Sequence, residues 1–100
     1  MNAQAQQAHC LTAFRRIFSK EPTEVTTEEV GGFTQSVARS RQHQRSVSIC
    51  ESLRGNLWTA TIIDWRAVTM RRALSPKIAL DCACVEYEEG KAVQAGEVAP

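Results

Sequence analysis

The alternation of apolar and polar positions is clearest between Ser46 and Trp65, where two runs flank Gly55-Asn56. Val47, Ile49 and Leu53 alternate with polar residues before the turn, and Trp58, Ala60 and Ile62 do so after it. Gly-Asn accepts the positive φ angles of a tight turn, so the stretch predicts an antiparallel β-hairpin over about 46–65. A two-residue loop opposes Leu53 to Trp58, Glu51 to Ala60, Ile49 to Ile62 and Val47 to Asp64, which gathers these apolar side chains on one face. A three-residue loop over 54–56 would break that surface up, and the shorter turn is preferred. Leu57, Ile63 and Trp65 fall on the opposite face. A second layer such as a helix is expected to cover them, with an exposed docking patch as the alternative.

Elsewhere the spacing is helical. Leu11, Phe14, Ile17 and Phe18, with Ala8 and Cys10 beside them, predict a helix over 3–19 that stops at Glu21-Pro22. Thr26 or Thr27 ahead of Glu28-Glu29 reads as a helix start, with Val30, Phe33, Val37 and Ala38 along one side and an end near 42–44. Gly31-Gly32 lies inside that pattern and weakens it. The tract 37–45 read as a strand would instead set Arg39, Arg41, His43 and Arg45 on one face. After the hairpin, Ala67, Met70 and Leu74 suggest a short helix. Ser75-Pro76 then opens another, buried through Ile78, Ala79, Cys82, Ala83 and Val85 and ending near Gly90. The alternation of Ile78, Leu80, Cys82 and Cys84 leaves a third strand over 78–88 open. The fold class that follows is α+β: one small domain over 1–90, with a central hairpin packed against N- and C-terminal helices. A mobile tail is expected over 91–100.

Composition narrows the class. One hundred residues with 43% hydrophobic and 23% charged content suit one modest core without staples. No apolar run is long enough for a membrane span, and the N-terminus lacks the basic start and apolar stretch of a secretory signal. A cytoplasmic, reducing location is expected, with Cys10, Cys50, Cys82 and Cys84 as free thiols. Net charge is +1 but polarised: −1 over 1–30, +6 over 31–77 and −4 over 78–100. A basic middle between acidic ends points to charge-complementary recognition.

Candidate chemistry is sparse. Cys82-Ala-Cys84 is spaced too closely for a usual zinc knuckle, and no second close pair joins it, so neither metal nor cofactor is expected. No motif flanks Cys50 that would make it a nucleophile with His43, and the carboxylate pairs Glu28/Glu29 and Glu86/Glu88/Glu89 read as solvated faces. An enzyme is not expected. Gly31-Gly32 lacks the Lys-Ser/Thr of a phosphate loop. The basic residues are the best candidates, since arginine forks contact phosphates, base edges, carboxylates or backbone alike. The expected partner-binding residues are Arg39, Arg41, His43, Arg45, Arg71 and Arg72, with Arg54, Arg66 and Lys77 in the same region.

The segment 28–45 resembles the start of a helix-turn-helix, without its turn and second-helix pattern. Small size, absent catalytic motifs and polarised charge are the general style of regulators and inhibitors encoded by phages and mobile elements. The function expected is therefore a non-enzymatic binding protein that docks on a protein or ribonucleoprotein complex and blocks it, an anti-CRISPR-like inhibitor being the concrete version. The alternative is a transcriptional regulator binding nucleic acid through the basic tract 39–45.

Overall fold

Five antiparallel strands form one sheet in sequence order, and two helices cover one of its faces. In this computed structural model the described residues are 2–52 and 57–98, with the side chains of Val30 and of 93–98 left aside. The elements are α1 (Ala3–Phe18), β1 (Glu24–Val30), β2 (Phe33–Ser40), β3 (Arg45–Glu51), β4 (Trp58–Asp64), β5 (Ala67–Ala73) and α2 (Pro76–Val98). The α+β class stands, with a five-stranded meander where the sequence suggests a hairpin and at most one further strand.

Helix α1 begins where Asn2 Oδ1 accepts from the Ala5 N–H at 2.8 Å. It ends at Ser19, whose left-handed backbone (φ 55°) turns its N–H back to the Arg15 carbonyl. The chain therefore leaves the helix three residues before Pro22. Cys10, Ala13, Phe14 and Phe18 are buried, and so is Gln6, which an apolar pattern does not mark.

The helix expected from Thr26 or Thr27 to about 42–44 is absent. Gly31 and Gly32 take φ values of 60° and 84° and close a two-residue hairpin between Val30 and Phe33. The flanking Val25, Thr26 and Thr27, and Phe33, Thr34 and Val37, are β-branched or aromatic and settle into strands.

Strands β3 and β4 form the predicted hairpin, with its register two residues away from the expected one. Val47 opposes Ile62, Ile49 opposes Ala60, and Glu51 opposes Trp58. The Ser52 N–H donates to the Leu57 carbonyl at 2.8 Å, in line with this register and not with one that opposes Leu53 to Trp58. The Gly55-Asn56 turn and Leu53 lie outside the described residues. Because side chains alternate with period two, a slip of two leaves the faces intact. Val47, Ile49, Trp58, Ala60 and Ile62 are accordingly all buried beneath the helices.

The short helix expected near Ala67 to Leu74 is strand β5, and Ser75-Pro76 starts α2 as the sequence indicates. The Ser75 hydroxyl accepts from the Ile78 N–H at 3.1 Å. Residues 78–88 are helix, and α2 continues through Gly90 to Val98, where the sequence reading ends the helix and begins a tail. One glycine costs about 1 kcal/mol in a helix, and the Lys91 and Ala92 that follow it are good helix formers. The buried stripe is Ala79, Leu80, Ala83 and Cys84, with Tyr87 partly covered. Ile78 and Val85, expected inside, are exposed.

A polar network ties α1 to the sheet. The Ser36 hydroxyl donates to Gln6 Oε1 at 3.0 Å and lies 2.9 Å from the Thr27 hydroxyl, which accepts from Gln7 Nε2 at 2.7 Å. Ser36 is fully buried. Ser36→Ala is expected to cost about 1–2 kcal/mol, because it leaves Gln6 Oε1 without this donor in a dry site. Urea unfolding of the variant checks this as a lower midpoint with an unchanged slope.

Candidate docking surface

Both helices pack on the face that carries Val47, Ile49, Ala60 and Ile62, so the opposite face of the sheet has no helix over it among the described residues, although Val37 and Ser48 at its centre are buried. The covering layer expected over Leu57, Ile63 and Trp65 is therefore not found among the described residues. Leu57 is 43% exposed and Trp65 59%. The strand registers place Thr26, Val37, Ser48, Thr61 and Met70 in one row across this face, with Glu28, Gln35, Cys50, Thr59 and Arg72 in the next. The row on the other side is Glu24, Arg39, Ser46, Ile63 and Val68. Its centre is hydroxyl-rich and its ends carry the apolar and basic groups.

One end is built from two neighbouring turns. Residues 41–44 join β2 to β3, with Gln44 at φ 51°, and Trp65-Arg66 joins β4 to β5, with Trp65 at φ 59°. The Trp65 N–H donates to the Gln44 carbonyl at 2.9 Å and locks the two turns together. A left-handed angle suits glycine or asparagine, and a bulky side chain held there costs about 1–3 kcal/mol. The Arg66 guanidinium lies over the exposed indole at 4.6 Å from the ring centroid. Arg39, Arg41, Gln44, Ser46, Ile63 and Trp65 line a shallow depression of ≈ 550 Å³ at this corner. At the far end Phe33, Cys50, Leu57, Thr59, Met70 and Arg72 line a second one of ≈ 370 Å³.

The six arginine and histidine positions expected to act together are divided. Arg39 and Arg41 reach the Trp65 corner and share Glu24, at 3.6 and 2.8 Å. His43 is exposed in the adjoining turn. Arg72 lies on the same face at its other end. Arg45 also lines the depression at this corner, but its charged end is turned to the helix side: its Nε donates to Asp64 Oδ1 at 3.1 Å and its guanidinium sits 5.0 Å from the Phe18 ring centroid. Arg71 is also on the helix side, 3.6 Å from Glu86. The four-residue turn sets the parity, since Ser40 opposes Arg45 and Arg39 opposes Ser46. A continuous strand through 37–45, the condition for one basic face, does not exist. Much of the charge polarity is thus spent within the chain, with Glu24, Asp64 and Glu86 meeting the basic middle.

Asp64 anchors the helix side of this corner. Besides Arg45 it accepts from the Tyr87 hydroxyl at 2.6 Å and pairs with Lys91 at 3.3 Å. Burial works to raise its pKa, but the hydrogen bonds from Tyr87, Arg45 and Lys91 outweigh it and hold the carboxyl below its ordinary value. Burial and the Asp64 partner both push the Tyr87 hydroxyl well up.

The Cys10, Cys50 and Cys84 thiols are shifted away from reactivity. Burial pushes Cys10 up to about 12 and Cys84 up to about 11. Cys50 is raised by burial and then by the Glu51 charge. A nucleophilic thiolate needs the opposite shift. Among the described residues no three His, Cys, Asp or Glu side chains converge as metal ligands, and no helix is long and apolar enough to cross a membrane.

The residue that sequence reasoning undervalued is Arg66. Its adjacency to Trp65 is visible, but the turn that stacks the two is not. No family model, curated protein or solved structure matches the chain.

Proposed function

We propose that this chain is a non-enzymatic docking module that binds a protein or ribonucleoprotein complex through the helix-free face of its sheet and blocks or regulates it, as an anti-CRISPR-like inhibitor would. Trp65 carries the reading. An indole is held in the open, at a backbone angle that disfavours it, between Arg66 and the Arg39–Arg41 pair. Tryptophan and arginine dominate interaction hot spots, and strain retained at an exposed residue is a mark of use rather than of stability. Ile63, Val68 and Met70 extend the patch with apolar surface. That surface and the internal pairing with Glu24 favour a protein surface over bare phosphates. The nucleic-acid regulator remains the second reading, because the same indole and arginines can stack on and pair with single-stranded bases.

Affinity capture from a bacterial lysate, with nuclease treatment in parallel, separates the two. The docking reading expects a defined protein complex that survives nuclease and is lost at least tenfold with Trp65→Gly or Arg41→Glu. Lys77→Glu, on the helix side, should leave the capture unchanged. Trp65→Gly is expected to keep or raise stability, by up to about 1 kcal/mol, because glycine relaxes the turn. A catch that vanishes with nuclease and falls steeply with salt supports the regulator instead. Capture indifferent to both Trp65→Gly and Arg41→Glu would overturn the assignment of this surface.

A further inference from the structure

We propose that β5 is a dimerisation edge, pairing antiparallel with β5 of a second copy about a twofold axis through Met70. The two edges of the sheet are built differently. On β1 the exposed residues are Glu28 and Glu29, the charged rim that keeps an edge strand single. On β5, which also exposes Arg71 and Arg72, Val68 and Met70 are 59% and 53% exposed on the helix-free side, while the exposed Leu74, Ile78 and Val85 lie on the loop and on α2, on the helix side of the same flank. Most of the exposed large apolar side chains among the described residues lie on this flank.

The backbone is arranged for such a pairing. Asp64 and Ala67 close the two-residue Trp65-Arg66 turn, so theirs is a hydrogen-bonded pair, and pairs alternate along the ladder from there. Val68, Met70 and Arg72 therefore occupy non-hydrogen-bonded positions opposite Ile63, Thr61 and Thr59. Their N–H and C=O groups point away from β4, to the free edge. A twofold axis at Met70 sets Met70 against its twin, Val68 against Arg72 and Arg72 against Val68, so these same groups complete a ladder.

The side chains tolerate that register. Thr69 meets Arg71, Ala67 meets Ala73, and no arginine stands opposite an arginine. An axis one residue later would oppose Arg71 to itself. The corresponding pairing of β1 would gather Glu24, Glu28 and Glu29 from both copies, an acidic edge that repels its own copy. The exposed flank of α2 is carried to the same seam: Arg71, Asp81, Cys82, Val85, Glu86 and Glu89 line a groove of ≈ 460 Å³ beside β5, where Arg71 lies 3.6 Å from Glu86 and Asp81 and Glu89 are the acids a second copy must accommodate. The result is an isologous dimer with a continuous sheet and all four helices on one side. Its helix-free face doubles and presents two Trp65 corners, roughly 30 Å apart along the strands. The inference does not rest on the docking reading, since the edge can pair whether or not Trp65 binds anything.

Sedimentation velocity of the full chain tests it. The expected species has twice the 11.1 kDa chain mass, and Met70→Lys, which sets an ammonium against its twin, should weaken association at least tenfold. Amide exchange of the unaltered protein gives an independent readout. The Val68, Met70 and Arg72 amides should be protected at high concentration and lose protection on dilution. A monomer at sub-millimolar concentration overturns the proposal, as does a dimer in which Met70→Lys changes nothing or those amides exchange freely.

Discussion

Phe14→Ala is expected to lower the unfolding free energy by about 3–5 kcal/mol, a large share of the roughly 5–15 kcal/mol that a domain of this size possesses. Phe14 is 1% exposed, at the meeting of α1 with the sheet, and its ring packs edge-on against Phe18 at 4.8 Å between centroids. Phe18 in turn meets Tyr87 of α2 at 5.7 Å, so this aromatic run joins both helices over β3 and β4. Removing its first member opens a cavity that the strands beneath cannot collapse into without losing their ladders. Phe14→Leu keeps most of the volume and should cost less than about 1.5 kcal/mol. Urea titrations followed by far-ultraviolet circular dichroism measure both. A Phe14→Ala loss no greater than that of Phe14→Leu would show that the site is not the packed centre described.

Asp64→Ala is expected to cost about 2–3 kcal/mol, because three donors lose one acceptor at a mostly buried site. Tyr87→Phe removes a single hydrogen bond and should cost about 1 kcal/mol. The pH dependence follows from the directions of the two shifts. Asp64 is held below its unfolded value, so its contribution is full above about pH 4 and disappears as pH falls through the folded pKa. Tyr87 is held above its own, so its contribution is full below about pH 10 and is lost as pH rises through the folded value. The pair therefore stabilises a plateau between those limits. Denaturant titrations across pH should show the gap between parent and Asp64→Ala shrinking as the solution is acidified. A gap that stays constant down to pH 2 would mean that the network leaves the Asp64 carboxyl at its unfolded value.

The parts of the fold legible in the sequence are those with one dry face. Val47, Ile49, Trp58, Ala60 and Ile62 alternate because helices cover one side of β3 and β4, and that alternation survives the difference in register because a slip of two is even. Helix α1 was legible through Phe14 and Phe18 for the same reason. Strand β5 was not, because most of its residues are exposed on both faces and its apolar positions carry no alternation to read. Ala67, Met70 and Leu74 then matched a helical period by accident. The β1–β2 hairpin was hidden differently: Gly31-Gly32 between Val30 and Phe33 is itself a turn signal, but Glu28-Glu29 after threonine imitates a helix start.

The candidate surface was less legible than the fold. Arg39 and Arg41 lie together and share Glu24, yet the acids that hold Arg45 and Arg71 come from another strand and from helix α2. Local sequence cannot reveal that Asp64 or Glu86 will face them. Trp65 lies in a turn of Asp64-Trp-Arg-Ala67, which contains neither glycine nor asparagine, so nothing announces a turn there. The exposed indole is a product of that turn.

The two tryptophans provide the most direct measurement of the central claim, that the helix-free corner is the working surface. Trp58 is 7% exposed beneath the helices, whereas Trp65 stands open beside Arg66, so one nitrogen–proton spectrum of labelled protein reports both sides at once. Titration with the captured partner should shift or broaden the Trp65 indole resonance and leave that of Trp58 in place. Movement of Trp58 with Trp65 undisturbed would locate the contact on the helices and contradict the account.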